Sequence, residues 1–160
     1  MEGEDPVVRK AKLEDAPALA ALNQTVHKLH VDRLSGLFQE PSLDETTRAM
    51  QTQLERENTF AFVAEVGDDP VGYILMRSLS WAEGPFTFAR DFILIDQISV
   101  EPEWRGRGIG SELLKAVESW GEAHGIRAIE LESWAFNTGA HRFFEAKGYQ
   151  IQRLRFEKRT

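Results

Sequence analysis

Between an apolar, strand-like run ending at Val100 and a helix-like run beginning at Ser111 lies Arg105-Gly106-Arg107-Gly108-Ile109-Gly110, and few architectures accommodate such a segment. Alternate glycines interrupt both strand and helix, but they let the backbone turn tightly and come close to a bound group. The helix that follows leaves its first N–H groups unpaired and turns its positive dipole end toward the turn, so strand, glycine turn and helix together predict a cradle for an anion of the phosphate kind. Arg105 and Arg107 add positive charge there.

Spacing separates the nucleotide-binding loops that share this form. A Walker loop needs glycine, four residues, then Gly-Lys-Ser/Thr, whereas Gly110 is followed by Ser111-Glu112 with no lysine placed to reach a phosphate. A dinucleotide fingerprint starting at Gly106 would find Ser111 where glycine or alanine belongs, although Glu130 and Glu132 fall near the distance for a ribose contact. One crossover remains after the loop, and a doubly wound sheet needs several.

The rest of the chain sets the frame. Residues 7–11 read as a short strand, and Leu19, Leu22, Val26 and Leu29 recur at helical spacing from Asp15 to a stop between His30 and Leu34. Ser42 with Glu45 has the form of a capping box opening a second helix to about Arg56. Residues 60–66 and 71–77 are apolar strands around Gly67-Asp68-Asp69-Pro70, the composition of a hairpin turn. Residues 78–90, with Trp81, Gly84, Pro85 and Phe86, read as a mobile loop with lid character. Strand 92–100, helix 111–124 stopped by Gly125, strand 127–134, a helix from Asn137 to Gly148 and a last strand over 149–157 complete the order. This predicts a mixed α/β fold, one domain over residues 1–160, whose sheet is antiparallel early and carries a parallel crossover late.

Composition narrows the class. A chain of 160 residues, 42% hydrophobic and 28% charged, has enough apolar material for one core. It has no cysteine, which excludes disulfides, thiolate metal sites and a cysteine nucleophile and fits a reducing, cytoplasmic setting. His27 and His30 lack the spacing and third partner of a metal site, so no metal is expected. The acidic start from Met1 to Pro6 and the strand-sized apolar runs predict neither leader nor membrane span. A formal net charge of -7 speaks against nucleic acid as a partner and mildly favours cationic small molecules.

The loop fits one further pattern: Arg or Gln, two residues, Gly, one residue, Gly or Ala. With the preceding Asp96-Gln97-Ile98-Ser99-Val100-Glu101-Pro102 and the later Asn137-Thr138-Gly139-Ala140, Phe143, Phe144, Gly148 and Tyr149, the chain resembles the GNAT superfamily of N-acetyltransferases. The resemblance implies the GNAT fold, a mostly antiparallel central sheet with a splayed parallel strand pair and flanking helices. It also implies acetyl-CoA as co-substrate and acetyl transfer to a primary amine by direct attack on the thioester.

By the same resemblance, Ile98, Ser99 and Val100 line the pantetheine arm. Arg105, Gly106, Arg107, Gly108, Ile109, Gly110 and Ser111 hold the pyrophosphate, Asn137 reaches the pantetheine or phosphate end, and Phe144 lies near the sulfur. Asn137 equally suits a helix N-cap. Asp96 is the first candidate for the base that takes the ammonium proton and Glu132 the second. Many members carry tyrosine where this chain has Phe144, and phenylalanine cannot protonate a departing thiolate; Ser133 or water is left for that task. His27, His30, Asp32, Phe38, Trp81, Phe86 and Trp134 are candidates for the acceptor side, which suits a small cationic amine. A peptide or protein amine is the alternative acceptor, and a non-catalytic acyl-CoA sensor the alternative role. Many relatives pair, so a homodimer is expected.

Overall fold

The computed structural model describes residues 5–160, so the reading of residues 1–6 as free of a leader lies largely outside them. Five strands form one sheet in the order β1-β2-β3-β4-β5: β1 Val7–Lys10, β2 Thr59–Val66, β3 Asp69–Trp81, β4 Arg90–Val100 and β5 Ile129–Leu131. The first three pairings are antiparallel and β4 with β5 is parallel. The mixed α/β expectation holds, crossover included.

Two helices lie on one face of the sheet and two on the other. On the first, α1 (Ala16–Arg33) and α2 (Leu43–Leu54) bring Ala16, Leu19, Leu22 and Met50 onto Ala61, Val63, Tyr73 and Leu75. On the second, α3 (Ile109–Ala123) and α4 (Thr138–Ala146) pack Ile109, Leu113, Leu114, Val117 and Phe144 against Ile74, Met76, Ile93 and Ile95. Ile74 and Met76 alternate with Tyr73 and Leu75, so β3 is clothed on both sides, which is why it reads as an unbroken apolar run. Each such fully buried side chain contributes about 1.5–3 kcal/mol relative to exposure.

The capping box opens α2: the Glu45 N–H donates to Ser42 Oγ at 3.2 Å and the Ser42 N–H to the Glu45 carboxylate at 2.8 Å. Burial along α1 stops at Leu22, and the second half of the helix lifts off the sheet, with Leu29 exposed.

Two expectations are corrected. Residues 78–90 are no mobile lid over their whole length, because β3 runs on through Ser78, Leu79, Ser80 and Trp81, paired with Ile93, Phe92, Asp91 and Arg90. The Trp81 ring rests on Phe92 at 5.0 Å and Ser80 Oγ donates to Asp91, contacts that outweigh the turn-like composition. Residues 149–157 form no strand in the single chain: residues 150–160 are exposed, and no strand pairs with them among the described residues.

Candidate active site

β4 and β5 pair only from Ile93–Ile129 to Ile95–Leu131. Beyond that point β4 continues to Val100 with β3 on one side and open space on the other, because β5 has ended. The parting falls at an irregularity in β4. Leu75 faces Gln97 and Met76 faces Ile95, so Asp96 is an extra, unpaired residue, a β-bulge that bends the strand. Downstream of it, Ile98 and Val100 pack toward α3, and Gln97 and Ser99 point toward α1. Residues 96–100 therefore offer an unpaired strand edge inside a cleft, able to accept the amide groups of an extended ligand arm.

A half-buried polar triad fixes this edge. The Tyr73 hydroxyl donates to Gln97 Oε1 at 2.6 Å, and Asn23 Nδ2 donates to both, at 2.9 and 3.2 Å. The Ser99 hydroxyl donates to the Leu22 carbonyl at 3.0 Å, so its side chain ties β4 to α1 while its backbone stays on the cleft side. A cavity of about 350 Å³ beside Asn23, His27, Met50 and Gln97 lies between the helices and the bulge.

The glycine turn closes one end of the cleft. Gly106 and Gly108 have φ of +74° and +83°, the left-handed region that favours glycine, and a Cβ on either would project into empty space. Gly108 is the N-cap of α3, whose first intrahelical bond runs from the Glu112 N–H to the Gly108 carbonyl at 3.0 Å. The N–H groups of Ile109, Gly110 and Ser111 thus have no partner within the helix and converge with its dipole on that space. Gly110 serves a different purpose, since a Cβ there would come within 3.0 Å of the Phe143 ring; it lets α4 pack on α3. Arg105 Nε donates to the Val100 carbonyl at 3.0 Å, and the Arg107 guanidinium lies 4.5 Å from the Trp104 ring centre.

A profile of the acetyltransferase (GNAT) family matches residues 23–149. The chain belongs to the GNAT family. It is 31% identical over 97 residues to an uncharacterised N-acetyltransferase of Methanocaldococcus jannaschii, covering 61% of this chain and 42% of the relative. A second protein of that organism, also an uncharacterised N-acetyltransferase, is 35% identical over 94 residues and is covered to 54%. The chain thus spans about half the length of these two curated relatives. Similarity to the aminoglycoside N(6')-acetyltransferase type 1 of Stenotrophomonas maltophilia is 28% over 147 residues, 91% of this chain and 86% of that one. Among solved structures, a tetramutant of the BH1408 protein of Bacillus halodurans superposes with a TM-score of 0.91 at 26% identity, covering 96% of this chain and 99% of that one. The fold is shared too with an aminoglycoside N-acetyltransferase, AAC(6')-Iy, solved with CoA, at TM-score 0.77 and 18% identity, over 99% and 97% of the two chains.

Within this GNAT frame the residues singled out from sequence fall into distinct places. Ile98, Ser99, Val100 and the segment from Arg105 to Ser111 come together along the bare edge and the cradle. Asn137 caps α4, its Oδ1 accepting the Ala140 N–H at 3.3 Å. Phe144 belongs to the core cluster with Leu113 and Val117, its ring set edge-on to Phe143 and Tyr149. The chain's two tyrosines are no better placed to supply an acid. Burial pushes Tyr149 up to about 12, with Glu118 adding to the effect, and burial also raises Tyr73, whose hydroxyl is committed to Gln97.

Asp96 spends both carboxylate oxygens on Arg77, Oδ2 on Nε at 2.6 Å and Oδ1 on Nη2 at 2.7 Å. The Arg77 pKa is raised, first by that pair and further by the field of Glu132, which stands exposed past the end of β5. Ser133 and Trp134 follow it, also exposed. On the acceptor side, His30 stacks on Phe38 at 5.3 Å, Phe38 meets Trp134 at 5.6 Å, and Trp134 lies parallel to Phe136 at 6.3 Å, an aromatic wall joining α1 to the loop after β5. His27 abuts Phe38, while Asp32 pairs outward with Lys28. Trp81 and Phe86 are not part of this wall: they belong to the far end of the β3–β4 hairpin, where Arg90 lies 5.4 Å from the Trp81 ring.

Sequence reasoning missed Arg77, Asn23, Tyr73, Gln97 and Phe136. A cation ending the apolar run of β3 was the one signal for Arg77. Among the described residues no group of three His, Cys, Asp or Glu could hold a metal, and no helix is long and apolar enough to cross a membrane.

Proposed function

We propose that this chain binds acetyl-CoA and transfers the acetyl group to a primary amine of a small cationic molecule. The observation that carries the reading is the juxtaposition of two features: the cradle of Gly106, Gly108 and the α3 N-terminus, and the bare β4 edge that leads from it to the bulge. A phosphate group needs the first and an amide-bearing arm the second. A ligand with a pyrophosphate at one end and peptide-like groups along its length satisfies both together, and coenzyme A is such a ligand.

Acetyl-CoA supplies an activated carbonyl carbon, and this chain's residues do the rest. Backbone N–H groups near Ile98 polarise the carbonyl oxygen as negative charge develops on it. The acceptor arrives from the side of the aromatic wall, where the faces of Trp134, Phe136 and Phe38 and the carboxylate of Glu132 favour a cation. Glu132, free of a side-chain partner among the described residues, takes the ammonium proton directly or through water, because Asp96 is held by Arg77. The amine nitrogen then bonds to the carbonyl carbon and the carbon–sulfur bond breaks; the proton that the nitrogen sheds on becoming an amide passes, relayed by Ser133 or water, to the departing thiolate. A thiol, far more acidic than an alcohol, can depart without a strong acid beside it.

Thermal unfolding in the presence of acetyl-CoA, free CoA and NAD, followed by thiol release against aminoglycosides, polyamines, other small amines and peptide N-termini, tests the reading. Both CoA forms should raise the melting temperature and NAD should not, since a ligand selective for the folded state must stabilise it. Thiol release confined to peptides would overturn the small-molecule assignment, and no stabilisation by either CoA form would overturn the whole.

A further inference from the structure

The triad of Asn23, Tyr73 and Gln97 leaves two polar groups over at the cavity of about 350 Å³. Gln97 Oε1 accepts from the Tyr73 hydroxyl and from Asn23, which occupies both of its lone pairs. Asn23 Nδ2 spends its two hydrogens on Tyr73 and Gln97. Without a partner among the described residues are then the Gln97 amide nitrogen, a donor, and the Asn23 carbonyl oxygen, an acceptor. Turning both amides over together would exchange these roles and again leave one donor and one acceptor. Both residues line the cavity. Among the described residues the enclosed side-chain atoms without a partner are Thr59 Oγ1 and Tyr149 Oη alone, so the two amide groups are open to a ligand.

The pair sets what the cavity accepts. An ammonium group only donates and would turn its hydrogens against those of Gln97, whereas a carboxylate only accepts and would face the Asn23 carbonyl. A hydroxyl or a carboxamide both donates and accepts and satisfies the two together. No lysine or arginine lines the cavity, and its one carboxylate, Glu45, accepts from the Ser42 N–H and hydroxyl, each at 2.8 Å. Ala49 and Met50 add an apolar wall for a carbon skeleton. The cavity also meets the acceptor side of the cleft, because His27 lines it and abuts Phe38 of the aromatic wall at 5.7 Å. Gln97 directly precedes Ile98 at the bare edge.

We propose that this cavity reads a hydroxyl or carboxamide on the body of the acceptor, so that the amine acetylated is one bearing an uncharged hydrogen-bonding group and not a bare alkylamine or a diamine. The inference rests on the reading of the chain as an acetyl-CoA-dependent amine acetyltransferase. Asn23 and Gln97 are its specificity-determining residues and take no part in proton transfer.

The test compares kcat/KM, by thiol release from acetyl-CoA, for ω-amino alcohols and ω-amino carboxamides of graded length. Alkylamines, diamines and ω-amino carboxylates of matching length are the controls. One of the first two series should lead its alkylamine counterpart about tenfold, the worth of two ordinary hydrogen bonds, and the one that leads tells hydroxyl from carboxamide. Equal values within each matched set, or a lead for diamines or carboxylates, would overturn the inference and leave acetyl transfer standing. No turnover of any amine would remove the reading beneath it and the inference with it. Gln97→Glu keeps an oxygen for Tyr73 and Asn23 and replaces the free donor with a carboxylate oxygen, so diamines should overtake the amino alcohols and amino carboxamides; an unchanged order counts against the proposal. If that variant does not fold, Ala49→Trp decides. Ala49 is exposed on α2, so the larger side chain fills the cavity without entering the triad and should abolish the lead, while a melting temperature that still rises with CoA shows a folded, loaded protein. A lead that persists in Ala49→Trp would overturn the proposal.

Discussion

Arg77 grips both carboxylate oxygens of Asp96, at 2.6 and 2.7 Å, at the point where β4 parts from β5. The pair joins neighbouring strands across the bulge and engages both oxygens of Asp96, while Glu132 has no side-chain partner among the described residues. An exposed pair of this sort is worth only about 0–1 kcal/mol to stability, so its consequence is sought in catalysis.

Glu132→Gln is expected to lower kcat/KM about 10²-fold, the lower end of what general acid–base assistance contributes. Asp96→Asn should cost less. Steady-state kinetics of both variants check this, and a larger loss in Asp96→Asn would return the base to Asp96.

The glycines of the cradle should separate by experiment. Gly108→Ala forces a side chain into the left-handed region, at a cost of about 1–2 kcal/mol, and puts a methyl group where the phosphate is to sit. The melting temperature should fall a little and its rise with CoA should vanish. Gly110→Val instead drives its side chain into Phe143, so the chief loss is stability, of about 1–3 kcal/mol. Melting curves with and without CoA read both.

Asn137→Ala removes the α4 cap and should destabilise the fold by about 1 kcal/mol while leaving KM for acetyl-CoA within about twofold. Asn137→Ser should recover most of the stability. A rise in KM that serine does not rescue would assign Asn137 to the ligand instead.

Burial, and secondarily His27, lower the His30 pKa, so the folded chain prefers the neutral ring packed on Phe38. On acidification the unfolded chain takes the proton first. The His30 contribution is therefore complete above the unfolded value of about 6.5 and is lost as pH falls toward the folded one. Melting temperature should decline from pH 7 to pH 5, and less so in His30→Phe; equal declines would remove His30 as the cause.

What could be read from the sequence was what local spacing determines. The Ser42–Glu45 box, the turn at Gly67 and the glycine cradle each lie within a few residues of chain and appear where the spacing put them. The strand over residues 127–134 shrank to Ile129–Leu131, because its length is set by contact with β4, and β4 bends away at Asp96. Ser78 to Trp81 looked like loop because the two serines and the Gly84 and Pro85 that follow are turn residues, and pairing with β4 decided the matter. Arg77 with Asp96, and Asn23 with Tyr73 and Gln97, meet across intervals that no periodicity encodes.

The extra residue in β4 also stands outside what the sheet itself needs. Ile95 already faces Met76 and Gln97 already faces Leu75, so deleting Asp96 would leave a regular ladder with Gln97 to Val100 on their present faces, and what would go is the bend and the grip of Arg77. The opening between the two parallel strands hangs on a residue that the pairing of the strand does not require.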